Sequence, residues 1–147
     1  MAWLFWMLGF SVAHLGSGKF TQDAVDLLVA TPRGNFALVE CTTGVISTDR
    51  KVPNLLRQRA LVIEMLARSN HNAVRVLPIL VTSCAREEVE QEILPAQERG
   101  VLVITRGDLE EMLNQVDLVF DAEELYRRAE EQVAGAIQQS PTLPGLS

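Results

Sequence analysis

The stretch that decides the fold is VDLLVATPRGNFALVECT, residues 25–42. Two runs rich in aliphatic and β-branched residues, 25–30 and 36–42, flank the five-residue connector Thr-Pro-Arg-Gly-Asn, residues 31–35. Proline and glycine in a short connector between two such runs are typical of a tight turn. The sequence therefore predicts a β-hairpin with two antiparallel strands.

The register of this hairpin follows from the length of its connector. With the connector centred on Arg33, Ala30 pairs with Phe36 and Asp26 pairs with Glu40. Directly opposed Cβ atoms lie about 4.5–5.5 Å apart, and like charges at that separation destabilise a sheet. A shared proton, a basic partner or a divalent cation bound between the carboxylates would each compensate. The alternative interpretation is a bulge that shifts the register and directs one carboxylate to water.

Helix and strand signals continue on both sides of the hairpin. The predicted elements are a helix ending at Leu8, strand 10–13, loop 14–23, the hairpin, a helix capped by Thr48 or Asp49 and ending near Ser69, strand 76–83, helix 86–98 interrupted at Pro95, strand 101–105, and helices 109–115 and 122–139. Asp108 with Glu111 and Asp121 with Glu124 resemble capping boxes for the last two helices. A strand, a helix and a strand in succession favour a parallel pair. The predicted fold class is α/β, with a mixed central sheet of about five strands flanked by helices.

Length and composition indicate one packed domain. The chain has 147 residues, of which 48% are hydrophobic and 22% charged, so a sizeable core is expected. We predict a single domain over 1–139 and a flexible tail over 140–147. The formal net charge of −6 does not favour non-specific binding to nucleic acid, so such a partner requires a local basic patch or a metal. Two cysteines are too few for a disulfide scaffold.

The apolar first segment, 1–13, is predicted to be neither a signal peptide nor a membrane anchor. It has no positively charged start, and it is well short of the ~20 apolar residues of a spanning helix. The helix begins abruptly at Met1, so we expect that the N-terminus is truncated. Trp3, Phe5 and Trp6 are assigned to the core. Gly-Ser-Gly-Lys at 16–19 is followed by phenylalanine and not by serine or threonine, so no nucleotide cofactor is expected.

The order of these elements resembles the restriction-endonuclease-like, or PD-(D/E)xK, nuclease superfamily, and most closely its Mrr-like members. The resemblance covers roughly Trp3 to Leu80 and includes a Gly-Phe-x-Val strand, an x-Asp-Leu-Leu strand, a turn, a Leu-Val-Glu-Cys-Thr strand and a long helix. It implies a restriction-endonuclease-like fold. It also implies a DNA endonuclease that uses Mg²⁺ or Mn²⁺ to hydrolyse phosphodiester bonds. By the resemblance, Asp26 and Glu40 are metal ligands, together with the backbone carbonyl of Cys41.

The family's motif lysine is replaced by Thr42 in this chain. We predict that Lys51 supplies the missing charge, because it begins the helix that follows and a lysine side chain reaches about 6 Å. Mrr-like families often carry a glutamine on this helix, and Gln58 is the matching candidate. A catalytically impaired module that binds DNA or a protein partner is the alternative function.

The same helix is predicted to contact DNA. Arg50, Lys51, Arg57 and Arg59 belong to a cluster that holds five of the 13 basic residues, which is typical of a phosphate-facing surface. A solvated helix face is the alternative interpretation. A homodimer and a cytoplasmic location, without a membrane partner, complete the expectations.

Overall fold

The computed structural model describes residues 1–15, 25–44, 46, 50–114 and 121–139. Its elements in chain order are α1 (Ala2–Met7), β1 (Ser11–His14), β2 (Leu27–Ala30), β3 (Phe36–Thr42), α2 (Lys51–Arg68), β4 (Val76–Thr82), α3 (Arg86–Glu98), β5 (Leu102–Ile104), α4 (Arg106–Asn114) and α5 (Ala122–Gln139). The α/β class with a five-stranded mixed sheet is confirmed. None of the helices in these ranges is long and apolar enough to cross a membrane.

The five strands form one sheet in the order β1-β2-β3-β4-β5. The β1–β2 and β2–β3 pairs are antiparallel, and the β3–β4 and β4–β5 pairs are parallel. The hairpin has the predicted register, since Ala30 faces Phe36 and Leu28 faces Leu38. Its turn requires a positive φ of 83° at Gly34, which glycine adopts without a steric penalty.

Each face of the sheet covers a separate core. One face carries Leu27, Val29 and Val39 and packs against α1 and α5. The other carries Leu38 and Leu80 and packs against α2 and α3. Strand β4, which lies between β3 and β5, is buried along its whole length, as expected for a parallel strand covered on both faces.

The alternation of the hairpin stops at Asp26, which lies in a bend before β2. A strand over 25–30, as the sequence predicts, would place Val25 on the same face as Leu27, because alternate residues of a strand point the same way. That expectation is wrong: Val25 is buried in the core against α2, and Leu27 in the core against α1. The bend turns the chain out of the strand, so strand periodicity no longer applies.

Two helices differ from their predicted extents. Helix α3 continues through Pro95 without the predicted interruption. Helix α4 begins at Arg106 and not at residue 109, because the carboxylate of Asp108 accepts hydrogen bonds from the backbone N–H and the hydroxyl of Thr105. Thr105 therefore precedes the helix as its N-terminal cap, and Asp108 lies in the first turn and is not the cap.

The start of α2 also differs from the prediction. Arg50 precedes the helix and makes no side-chain capping bond, and the predicted caps Thr48 and Asp49 lie outside the described residues. Loop residues 16–23, residue 115 of the predicted α4 and the predicted tail, 140–147, also lie outside the described residues. Asp121 directly precedes α5 and caps its N-terminus, because its carboxylate accepts the N–H of Glu123 at 2.9 Å.

The assignment of Trp3 and Trp6 to the core is wrong. Their exposed fractions are 55% and 71%, whereas Leu4 and Phe5 are buried. A helix of six residues packs one face on the sheet, and the two tryptophans lie on the other face. Leu61 and Met65 of α2 are also exposed, although both are apolar.

Candidate active site

The first carboxylate, Asp26, is held by the backbone of the neighbouring strand. Its Oδ2 accepts a hydrogen bond from the N–H of Cys41 at 2.7 Å. The strand ladder ends at Leu27 and Val39, one pair short of the predicted pairing of Asp26 with Glu40. The side chain of Asp26 therefore reaches past Glu40 to the next residue of β3.

The second carboxylate, Glu40, has a basic partner. The ammonium nitrogen Nζ of Lys51 donates to Glu40 Oε1 at 2.7 Å and lies 3.5 Å from the carbonyl oxygen of Cys41. The exposed fractions of the two side chains are 33% for Lys51 and 14% for Glu40, so the pair is partly withdrawn from water. Lys51 thus contacts two of the three groups that the sequence assigned to a metal.

The start of α2 is fixed beside β3 by buried residues and by one loop contact. Val52 and Leu55, in the first turns of α2, are fully buried against the sheet. The buried hydroxyl of Thr82 donates to the carbonyl of Gly44 at 3.0 Å, which holds the chain leaving β3 against the end of β4. These contacts place Lys51 at the carboxyl end of β3.

Different groups compensate the two negative charges. A backbone N–H faces Asp26, and an ammonium faces Glu40. Of the three compensations considered, a basic partner is the one that the described side chains show. The alternative of a bulge is wrong, because β2 and β3 pair without a shift.

The side chain of Cys41 points away from this cluster, into the core against α1 and α5. Burial, and then the negative charge of Asp26, raise the pKa of the Cys41 thiol. The thiol therefore stays protonated at neutral pH and is a poor metal ligand. The donor that Cys41 offers to the cluster is its carbonyl oxygen.

A pocket of about 400 Å³ opens beside the ion pair at the carboxyl ends of β3 and β4. Its lining residues are Met1, Cys41, Thr42, Thr43, Lys51, Val81, Thr82, Ser83 and Leu109. Ligand sites of open α/β sheets lie at this end of parallel strands. Sequence reasoning did not identify Ser83, although a parallel β3–β4 pair would have placed the end of β4 beside Thr42.

The residues present fit a hard divalent cation. Asp26 bonds to the backbone N–H of Cys41, and Lys51 contacts both Glu40 and the carbonyl of Cys41, so the three oxygen donors all adjoin the end of β3. Mg²⁺ binds one or two carboxylates while water and substrate phosphates complete its shell. Within the described ranges, no group of three or more His, Cys, Asp and Glu side chains could hold a metal. A cation here would therefore rely on Asp26, Glu40 and the Cys41 carbonyl, with the remaining positions open.

The other predicted site residues lie at different distances from Lys51, from the end of β3 to the middle of α2. Thr42 ends β3, lines the pocket, and its hydroxyl accepts the N–H of Gly44 at 3.3 Å. Gln58 is half-buried, seven residues and about 10 Å further along the helix than Lys51. Arg50 is exposed directly before the helix.

The two remaining arginines have structural partners. Arg57 donates to the side-chain oxygen of Asn54 at 2.8 Å on the helix surface. Arg59 donates to the carbonyl of Val76 at 2.8 Å, at the beginning of β4. Val76 lies four residues, about 13 Å, before Leu80, the strand partner of Glu40. Arg59 is thus separated from the carboxylates, and the predicted basic surface is not continuous.

The fold that carries this cluster is of the restriction-endonuclease-like class. The structure is similar to the small subunit of the heterodimeric restriction endonuclease R.BspD6I, with a TM-score of 0.62 over 93% of this chain and 83% of that chain. The two sequences are 11% identical, so the likeness concerns the fold alone. No protein-family model and no curated protein matches the sequence.

Proposed function

We propose that this chain is a divalent-metal-dependent DNA endonuclease domain that hydrolyses phosphodiester bonds. The observation that carries the proposal is the position of Lys51, whose ammonium contacts Glu40 and the carbonyl of Cys41 although the motif position holds Thr42. A lysine beside one carboxylate and a carbonyl, with Asp26 bonded to the backbone of the same strand end, supports this proposal. The structural likeness to a subunit of a restriction endonuclease supports the same conclusion.

Each residue of the cluster has a role in this reaction. Asp26, Glu40 and the Cys41 carbonyl would hold Mg²⁺ or Mn²⁺, which supplies an activated water and polarises the phosphate. The hydrogen bond from Cys41 N–H fixes Asp26 before the cation arrives. Lys51 orients the attacking water and stabilises negative charge on the phosphate as a point charge. The Thr42 hydroxyl offers one further hydrogen bond at the pocket.

DNA would approach across the beginning of α2. Arg50 and Arg57 lie there on the surface, and we assign them to phosphate contacts that oppose the net charge of −6. Gln58 is a further candidate on this helix. A second copy of the chain would let the domain cut both strands. The cytoplasm is the proposed location.

The proposal is tested by nicking of supercoiled plasmid. The purified protein with Mg²⁺ or Mn²⁺ should convert it to the open-circular form, and EDTA should abolish this. Glu40→Ala should be inactive, whereas Glu64→Ala, which removes a surface carboxylate on α2, should retain the rate. Cleavage that persists in Glu40→Ala at the wild-type rate would identify a contaminant and refute the proposal.

A catalytically impaired module that binds DNA or a protein is the second candidate. The replacement of the motif lysine by Thr42 favours it, as does the net charge of −6. Calorimetry with Mn²⁺ separates the two functions. A catalytically impaired module should give no heat of Mn²⁺ binding, or binding that Asp26→Ala leaves unchanged. An endonuclease site should lose its affinity for Mn²⁺ in that variant.

A further inference from the structure

We infer that Lys51 is an internal cation that competes with the divalent metal for Glu40, so that the free protein binds metal weakly. The inference rests on the proposed function, because it assumes that Glu40 is a ligand. The observation behind it is the contact between Lys51 and Glu40, considered for its effect on Glu40 as a metal ligand. In the free protein, one oxygen of Glu40 already carries the ammonium of Lys51 at 2.7 Å.

Geometry makes the two cations mutually unfavourable. Mg²⁺ coordinates oxygen at about 2.0–2.1 Å, so a metal bound to Glu40 Oε1 would lie within about 5 Å of Lys51 Nζ. Like charges at such a distance disfavour one another strongly, above all where burial reduces screening. Glu40 is only 14% exposed, so solvent screens the pair poorly.

The second contact of Lys51 adds to the competition. Its ammonium is 3.5 Å from the carbonyl oxygen of Cys41, the remaining donor on β3. Asp26 is held by a backbone N–H and has no such competitor among the contacts described. A metal on Glu40 Oε1 would displace Lys51, and a metal on the other oxygen of Glu40 would lie close to the ammonium, so either position is opposed by Lys51. Asp26 is the ligand that needs no rearrangement.

A bound DNA phosphate would offer Lys51 another acceptor. The ammonium could then leave Glu40 without losing its ionic partner, and the metal would enter as DNA binds. Lys51 in this arrangement is both the charge that the reaction needs and the residue that keeps the free site poor in metal.

The test is Mn²⁺ binding to the DNA-free protein, measured by calorimetry. Lys51→Met keeps the length of the side chain and removes its charge, and should bind Mn²⁺ at least ~10-fold more tightly than the wild type. Arg68→Met is the matched control: it breaks a surface ion pair with Glu64 on the same helix and should leave the affinity unchanged. Lys51→Gln serves as a second variant, and thermal unfolding verifies that each protein is folded.

The outcomes separate the inference from the proposed function. Equal or weaker Mn²⁺ binding in both folded Lys51 variants would overturn the inference and leave the metal site standing. No Mn²⁺ binding in any folded variant would overturn the proposed function as well. Tighter binding in both Lys51 variants, lost again on adding Glu40→Gln, would support both.

Discussion

Removal of Lys51 should impair catalysis far more than folding. In Lys51→Ala the ion pair with Glu40 is lost, and its side chains are 33% and 14% exposed. Partly exposed pairs contribute up to about 1 kcal/mol to the free energy of unfolding. For a domain of this length that corresponds to a decrease of about 2–4 °C in the melting temperature. Loss of one preorganised charge in an active site typically costs at least ~100-fold in rate, about 2.7 kcal/mol.

The assay compares both quantities in the same preparations. Plasmid nicking is followed at saturating Mn²⁺, so that a change in metal affinity does not alter the rate, and thermal unfolding is followed by circular dichroism. Thr42 lines the same pocket as Lys51, so a lysine at position 42 can reach the same space. Adding Thr42→Lys to Lys51→Ala should therefore recover part of the activity.

Nicking by Lys51→Ala at the wild-type rate would refute a catalytic role for Lys51. A loss of rate matched by a loss of folded protein at the assay temperature would refute it equally, because Lys51 would then be a structural residue. No recovery in the folded double variant would show that a charge from position 42 cannot replace the charge of Lys51.

Three further measurements examine the fold. Leu80→Ala, at a side chain with no exposed surface, should lower the free energy of unfolding by about 2–5 kcal/mol, seen as a lower urea midpoint with an unchanged slope. Hydrogen bonds from two arginines of α5 lower the pKa of Glu124 from 4.5 to about 2. Its carboxylate therefore stabilises the folded state above pH 4.5 and loses this effect as the pH falls towards 2. Glu124→Gln should flatten the pH dependence of the free energy of unfolding between these two values. Trp3 and Trp6 are the only tryptophans, so acrylamide should quench the fluorescence of the native protein nearly as strongly as that of the unfolded protein, and protection in the native state would contradict their exposure.

The hairpin was predictable because its information is local. A five-residue connector fixes the pairing of Ala30 with Phe36, and alternation assigns Leu27, Val29 and Leu38 to their faces without knowledge of the rest of the chain. Continuous apolar composition likewise identifies β4 as a buried strand. The position of Lys51 at the start of the helix after β3 was also predictable, but its contact with Glu40 was not, because a basic partner was only one of three possible compensations.

The errors occur where tertiary contacts override a local pattern. Trp3 and Trp6 belong to a hydrophobic helix, but the helix is too short to bury more than one face. The bond from Arg59 to the carbonyl of Val76 also depends on the tertiary fold and could not be read from the sequence, and the DNA contact of Arg59 stays a prediction. The N–H of Cys41 that holds Asp26 carries no sequence signal, because every residue except proline has such a donor.

The bond between Asp26 and the backbone of Cys41 couples the chemistry of the cluster to the packing of the sheet. If β2 slipped by one residue along β3, Leu27 and Val29 would move from the core to the opposite face, and Asp26 would lose its donor. The spacing of the two carboxylates is thus set by hydrophobic residues that never touch a ligand. A change in the separation of the two carboxylates therefore requires a change in the packing of the core.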